Sequence, residues 1–156
     1  MRLFALLPLL MLLAAPPANA EVVQVFPVES CVVSAGHALA ARRECIGAAA
    51  RDCIDSNPAN QTTGGMSDCV AEEGRAWQIL SAQYEAALRA RESATQIALL
   101  DAYLEQHRAW AAARCAYNAS YYEGGSLARL LAASCRRDTA AELALELYAR
   151  VFDEGI

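Results

Sequence analysis

Apolar residues in this chain recur mainly three or four positions apart, the spacing that places them on one face of an α-helix. Glycine and proline interrupt this pattern at a few points only. The pattern predicts five helices, at about residues 28–35, 38–54, 66–90, 94–120 and 126–151. Residues 22–26 are the one candidate for a strand. We therefore predict an all-α fold, a small antiparallel helical bundle.

Two of the long helices have well-defined apolar faces that we expect to point into the core. In the third helix, this face consists of Val70, Trp77, Leu80, Tyr84 and Leu88. In the fourth helix, it consists of Ile97, Leu100, Leu104, Ala111 and Cys115. These residues are the predicted core of the bundle.

Polar residues mark the predicted helix starts. Ser93 followed by Gln96 has the spacing of a capping box, in which each side chain accepts from a free backbone amide of the other. Thr139 followed by Glu142 has the same spacing. This second box predicts a break or kink in the last helix near Asp138.

The first twenty residues predict export. A basic start, an apolar run over residues 3–15 and the ending Ala18-Asn19-Ala20 are typical of a secretory signal peptide. Cleavage near Ala20 would leave one domain, residues 21–156, with no apolar stretch long enough to span a bilayer. We therefore expect a periplasmic or secreted protein.

The charge balance is acidic. The chain has 13 basic and 18 acidic residues, a formal net charge of −5. Removal of residues 1–20 takes away Arg2 and leaves 12 against 18, a charge of −6. This balance argues against nucleic-acid binding, which requires a basic surface, and it suits a basic protein partner.

Six cysteines in a short exported chain predict a disulfide framework. Fifteen pairings are possible, and the sequence does not choose among them with certainty. Cysteines that flank the same turn are the ones that approach closely enough to pair. The pairs proposed on this basis are Cys31–Cys45, Cys53–Cys69 and Cys115–Cys135. Each would contribute about 3 kcal/mol. Because the spacings of metal-binding or redox cysteines are absent from the sequence, we assign no metal and no cofactor.

Two groups of short motifs follow one another along the chain. The first group is Cys45-Ile46-Gly47, Cys53, Thr62-Thr63-Gly64-Gly65-Met66, Cys69 and Glu73. The second is Trp77, Leu80, Tyr84, Ala109-Trp110, Arg114-Cys115, Gly124-Gly125-Ser126, Cys135 and Thr139. Together they resemble the LprI-type lysozyme-inhibitor family over about residues 31–150, and the resemblance implies an exported helical protein that binds lysozyme.

The chain also departs from the pattern of that family. Ser81 stands where the family usually has Asn. Counted back from Cys115, His107 and Ala111 stand where the family has Trp and Arg. Counted from Trp110 instead, the Arg fits but the cysteine comes three residues early. These shifts make the chain a divergent member and affect the inherited activity more than the fold.

Candidate catalytic residues are few, and we predict no enzyme. His37 is expected to be an exposed turn residue, and His107 a helix residue with a satisfied hydrogen bond, because neither has an orienting partner in the sequence. The carboxylate pairs Glu72-Glu73 and Asp101/Glu105 are interpreted as a solvated, charge-paired surface.

The two main loops are the predicted binding segments. Tyr121, Tyr122, Glu123, Gly124 and Gly125 combine aromatic anchors, an acid and flexible backbone in a turn. The next residue, Ser126, is predicted to cap the last helix. The polar loop 55–65, with Asn60 and Gln61, would be held at its base by the Cys53–Cys69 disulfide.

Together these features predict an exported, non-enzymatic binding protein, most plausibly an inhibitor of a basic lysozyme-like muramidase. In this interpretation one or both loops occlude the substrate cleft of the enzyme. The alternative is a periplasmic structural or interaction protein that binds an endogenous envelope partner and does not inhibit lysozyme.

Overall fold

The computed structural model describes residues 24–153 and confirms an all-α fold for them. The predicted signal peptide, residues 1–20, lies outside this range. The described elements are α1 (Phe26–Ser34), α2 (Leu39–Arg43), α3 (Ala48–Ser56), a 3-10 helix (Pro58–Gln61), α4 (Thr63–Arg89), α5 (Ala94–Ser120) and α6 (Ser126–Phe152). None of the described helices is long and apolar enough to cross a membrane.

Three helices of 27 residues each, α4, α5 and α6, form the bundle. Successive long helices are antiparallel, as predicted, so α4 and α6 run parallel. Asp68 near the start of α4 binds Arg129 near the start of α6 at 2.7 Å. Beyond the end of α4, Arg91 donates to the Val151 carbonyl at 3.0 Å. This parallel pair makes the most extensive contact of the fold, and α5 packs mainly on α6.

The core lies between α4 and α6. All five residues of the predicted α4 face are buried. In α5, Leu100, Leu104 and Cys115 are buried, whereas Ile97 and Ala111 are half-buried. The prediction for α5 is thus confirmed in part. Small residues allow α4 and α6 to approach closely, since Ala76, Ala141 and Ala144 are fully buried.

The three predicted disulfides are all present. They are Cys31–Cys45, Cys53–Cys69 and Cys115–Cys135, with Cα–Cα distances of 5.8, 5.7 and 5.4 Å. The first ties α1 to the segment after α2, the second ties α3 to α4, and the third ties α5 to α6. Two of the three bridges therefore end on a long helix, and the first joins α1 to the segment between α2 and α3.

One predicted helix, residues 38–54, is wrong because the structure has two short helices there. A turn separates α2 from α3, and Gly47 in that turn has φ of +87°. This left-handed conformation strains residues with a side chain, so glycine permits the break. The helical spacing of the neighbouring apolar residues gave no sign of it.

The start of α4 lies three residues earlier than predicted. Thr62 is the N-cap, and its Oγ1 accepts a hydrogen bond from the Gly65 amide at 3.1 Å. The predicted polar loop is correspondingly shorter and contains the 3-10 helix. A Cβ on Gly65 would lie 2.5 Å from the Cα of Asn60, so the absence of a side chain lets the 3-10 helix rest on α4.

The capping predictions for the last two helices had different outcomes. The capping box of Ser93 and Gln96 is confirmed at the start of α5. Ser126 is not the cap of α6, because Gly125 holds that position without a side-chain hydrogen bond. The predicted break near Asp138 is also wrong: α6 is continuous there, and the Thr139 hydroxyl donates to the Cys135 carbonyl at 3.0 Å.

Glu73 contradicts the prediction of a solvated surface, because it is buried. Its carboxylate accepts hydrogen bonds from the amides of Gly47 at 2.6 Å and Ala50 at 2.8 Å, at the start of α3. A third bond comes from the indole of Trp77 at 2.9 Å. Glu73 therefore caps α3 from α4. The neighbouring Glu72 points elsewhere, because adjacent positions of an α-helix face different directions, and it binds Arg75.

A buried arginine fastens α2 to the end of α6. Arg42 donates to the Gly36 carbonyl at 2.6 Å and to the Asp153 carboxylate at 3.0 Å. Its guanidinium lies 4.4 Å from the centre of the Tyr148 ring. The hydrogen bond from Arg42, followed by that from His37, lowers the pKa of Asp153 to about 2. The charge on Asp153 thus contributes to holding the N-terminal helices in place.

Candidate partner-binding surface

Side chains along one face of α5 form a continuous aromatic surface, which we call the α5 stripe. Its members follow one another at steps of four, three, four, three and four residues, so they share one side of the helix. They are Tyr103, His107, Trp110, Arg114, Tyr117 and Tyr121. At 1.5 Å per residue the stripe is about 27 Å long.

The side chains of the stripe contact one another. The rings of His107 and Trp110 are 5.5 Å apart, and the Arg114 guanidinium lies 5.1 Å from the Trp110 ring. Tyr117 and Tyr121 meet edge to face at 5.2 Å. Their hydroxyls are hydrogen-bonded, which raises the pKa of Tyr121. Mutual contacts of this kind restrict the rotamers before any partner binds.

The stripe is nevertheless open to solvent. Trp110 is 51% exposed, Tyr117 62% and Tyr121 67%. Large exposed aromatics grouped on one rigid helix are typical of protein-binding surfaces, because each buries much area with few rotatable bonds. This group is the main exposed aromatic surface of residues 24–153.

Carboxylates on α6 flank the stripe. Asp138, Glu142 and Glu146 stand four residues apart and line the shallow grooves between α6 and the stripe. Glu146 accepts from the Tyr103 hydroxyl at 2.5 Å. Burial and this bond raise the pKa of Tyr103 to about 12. Each of the three carboxylates pairs with an arginine: Glu142 with Arg43 at 2.9 Å, Asp138 with Arg137 at 2.7 Å and Glu146 with Arg150 at 3.1 Å.

The predicted tyrosine loop continues the stripe. Tyr121 is the last member of the stripe and also the first residue of the turn between α5 and α6. The rest of this turn, Tyr122, Glu123, Gly124 and Gly125, is exposed. Gly124 has φ of +80°, which permits the tight reversal of the chain. The turn forms the protruding tip of the α5–α6 hairpin.

The second predicted loop lies at the same end of the bundle, because α4 and α6 are parallel. Asn60 is half-buried, and its side-chain amide donates to the Cys53 carbonyl at 2.8 Å. Gln61 is exposed. Asn60 therefore has a role within the loop, and Gln61 is the more accessible of the two. A partner protein wide enough to span this end of the bundle would therefore contact both loops.

The two histidines line the same shallow groove beside α6 but have different surroundings. His37 is exposed, as predicted, and its Nδ1 lies 3.0 Å from Asp153. The hydrogen bond expected for His107 is absent within the described residues. Burial lowers the pKa of His107, so its ring is an uncharged part of the stripe at neutral pH.

The second carboxylate pair considered in the sequence lies on the surface. Asp101 and Glu105 are exposed, and Arg89 binds Asp101, as predicted for a charge-paired face. Among residues 24–153, no group of three or more metal-binding side chains is placed to hold a metal ion.

The sequence predicts the tip of this surface but not most of its length. Trp110 belongs to a family motif, and Tyr103 and Tyr117 are not among the predicted site residues. Their helical spacing from Tyr121 is visible in the sequence. That this face of α5 stays uncovered depends on how α5 packs on α6, which the spacing does not show.

The described residues define a small, all-α, disulfide-linked protein with an exposed aromatic surface. The family model described as lysozyme inhibitor LprI matches residues 53–147. The chain belongs to this family. No curated protein and no solved structure matches it.

Proposed function

We propose that this protein is an exported, non-enzymatic inhibitor that binds a lysozyme-like muramidase. Family membership supports the class of partner. The observation that carries the proposal within the structure is the α5 stripe, since it offers preorganised aromatic anchors on a helix that a disulfide ties to the bundle.

In this proposal, charge brings the partners together and the stripe holds them. Lysozymes are basic, so the net negative charge of the chain would raise the association rate. Trp110 and Tyr117 would then be buried at the interface. The tip at residues 121–125, with the 3-10 loop at the same end, is positioned to enter and block the substrate cleft.

Export is part of the same proposal. Three disulfides are stable in an oxidising compartment such as the periplasm and are uncommon in the cytosol. Intact-mass measurement of the secreted protein tests this directly. We expect a chain that begins at Glu21 and lacks six thiol hydrogens.

A turbidity assay tests the inhibition. The oxidised protein, at tenfold molar excess, is added to a basic lysozyme and a suspension of bacterial cell walls at low salt. We expect slower lysis and a complex detectable by gel filtration. Undiminished lysis together with no complex would overturn the proposal.

One observation favours a second candidate. The spacing of the α5 stripe also suits packing against a helix of another protein. An endogenous envelope partner without lysozyme activity is therefore the alternative. Recovery of one stable envelope partner with the oxidised protein, while lysis is unaffected, would favour it.

A further inference from the structure

A cleft separates α4 from α5, on the side of α5 next to the stripe. The two helices are joined by a short turn, yet they diverge and make few close backbone contacts, and α6 forms the base of the space between them. The cleft has a volume of about 390 Å³. This size is within the usual range of small-molecule sites. We call it the α4–α5 cleft.

The floor of the cleft is apolar. Leu143, Ala111 and Ala140 are half-buried and form its accessible surface, and the buried side chains of Leu104 and Leu147 lie beneath them. The hydroxyls in the wall do not interrupt this surface, because each already donates to a backbone carbonyl. These bonds run from Ser81 to Ala140 and from Thr139 to Cys135. A hydrocarbon chain would displace water from this floor while both hydroxyls keep their backbone partners.

The rim of the cleft carries an excess of positive charge. Glu85 is matched by Arg89 at 2.7 Å and by Arg108 at 3.6 Å. Arg136, on α6, also lines the cleft, and its side chain forms no ion pair or hydrogen bond within residues 24–153. Its guanidinium is free to bind a carboxylate or another small anion at the edge of an apolar surface.

We propose that the α4–α5 cleft binds one single-chain anionic amphiphile, such as a fatty acid. The hydrocarbon chain lies on the leucine and alanine floor, and the carboxylate binds Arg136. An uncharged chain would use only the floor, and a cationic chain would be repelled by the arginine. His107 is the one member of the α5 stripe that also lines this cleft, whereas Trp110 and Tyr117 do not, so the proposal does not depend on lysozyme binding.

Isothermal titration calorimetry of the oxidised protein tests the site, with ligands below their micelle concentrations. Decanoate, decanol and decyltrimethylammonium share a chain length and differ in head group. We expect one decanoate per protein, about tenfold weaker binding of decanol because the charged hydrogen bond is lost, and the weakest binding for the cation.

Two variants separate the head-group site from the floor. Arg136→Gln should weaken decanoate binding about tenfold and leave decanol binding unchanged. Ala111→Phe should abolish binding of both by filling the cleft. Arg75→Gln, on an exposed face of α4, is the matched control and should change neither. If Ala111→Phe fails to fold, Arg136→Gln on the exposed rim still tests the proposal.

The proposal is overturned if decanoate does not bind, if the three head groups bind equally, or if Arg136→Gln binds decanoate as tightly as wild type. If decanoate does not bind and Ala111→Phe weakens muramidase inhibition, the cleft is part of a protein-binding surface and the proposal is wrong.

Discussion

At the residue scale, Glu73 shows how one buried charge organises two elements. Its carboxylate supplies the cap that Gly47, which has no side chain, cannot give to α3. The helix dipole favours a negative charge at this point. The indole of Trp77 donates a third hydrogen bond to Glu73, so the same carboxylate orients the largest core side chain.

Glu73→Gln should therefore lower the free energy of unfolding by about 2–3 kcal/mol, because an amide cannot accept from all three donors and brings its own donors into the site. Glu72→Gln, at the adjacent half-buried position, removes only an ion pair with Arg75 and should cost less than about 1 kcal/mol. Urea denaturation with the disulfides intact measures both. Equal effects of the two variants would contradict the role assigned to Glu73.

Asp153 predicts a specific acid sensitivity. Its pKa in the folded protein, about 2, is below the ordinary value of 3.8, so its charge stabilises the fold above about pH 4. This contribution is lost as the pH falls through 2. It amounts to at most about 2 kcal/mol, since the carboxylate is partly solvated.

Asp153→Asn should remove this acid-dependent part of the stability. Thermal unfolding at pH 6 should show a destabilised variant, and the difference from wild type should shrink towards pH 2. The exposed Asp55 serves for comparison: Asp55→Asn should match the wild type across this range. A constant difference between Asp153→Asn and wild type would refute the linkage.

At the element scale, the contact between the 3-10 helix and α4 depends on one glycine of a pair. A Cβ on Gly65 would lie 2.7 Å from the Ala59 carbonyl oxygen, whereas a Cβ on Gly64 has only Thr62 Oγ1 within 4 Å, at 3.9 Å. Backbone atoms cannot move away as a flexible side chain does. A side chain at Gly65 therefore requires a backbone shift, whereas a side chain at the adjacent Gly64 does not.

Gly65→Ala should destabilise the protein by about 1–3 kcal/mol by displacing the 3-10 helix. Gly64→Ala should be neutral or stabilising by up to about 1 kcal/mol, because alanine is the better helix former. Thermal unfolding measures the difference. A Gly64→Ala variant that is the less stable of the two would show that the close contact is wrong.

The α5 stripe gives the element-scale prediction for binding. Trp110→Ala and Tyr117→Ala should each weaken muramidase binding by at least about tenfold, as expected for central aromatic anchors. Leu99→Ala, an equally exposed position of α5 outside the stripe, is the control. Surface plasmon resonance measures the affinities. If all three variants bind as the wild type does while inhibition persists, the stripe is not the interface, and the proposed function remains.

The elements were predictable from the sequence where the cause is local. The three disulfides followed from cysteines on either side of turns, and the start of α5 from the Ser93–Gln96 pair. The break at Gly47 and the burial of Glu73 were not predictable in this way. Both depend on a contact between α3 and α4 across 26 positions, and helical periodicity carries no information about it.

The cleft shows the same limit. Ser81, His107 and Ala111 depart from the family pattern. In the sequence, Ser81 lies 26 residues before His107, and His107 lies four residues before Ala111. The structure places all three along the walls of the α4–α5 cleft. The sequence shows which positions depart from the family pattern. Only the packing of α4, α5 and α6 shows that these positions line one cleft.

At the scale of the whole molecule, the three long helices are not equally well packed. α4 and α6 bury many residues against each other, whereas Cys115 is the one fully buried residue of α5 after Leu104. The half of α5 that carries Trp110, Tyr117 and the tip is therefore attached mainly through the Cys115–Cys135 disulfide. Few apolar contacts would replace that bridge if it were lost.

The double variant Cys115→Ser/Cys135→Ser should accordingly loosen this half of α5 while α4 and the rest of α6 stay folded. Amide hydrogen exchange over residues 105–121 should become at least about tenfold faster, since a bridge of this loop length is worth about 3 kcal/mol. Muramidase binding should weaken as well, because a mobile stripe must be ordered on binding. Cys31→Ser/Cys45→Ser removes a bridge remote from α5 and should leave exchange in residues 105–121 unchanged. Unaltered exchange in the first variant would mean that packing on α6, and not the disulfide, holds the binding surface in place.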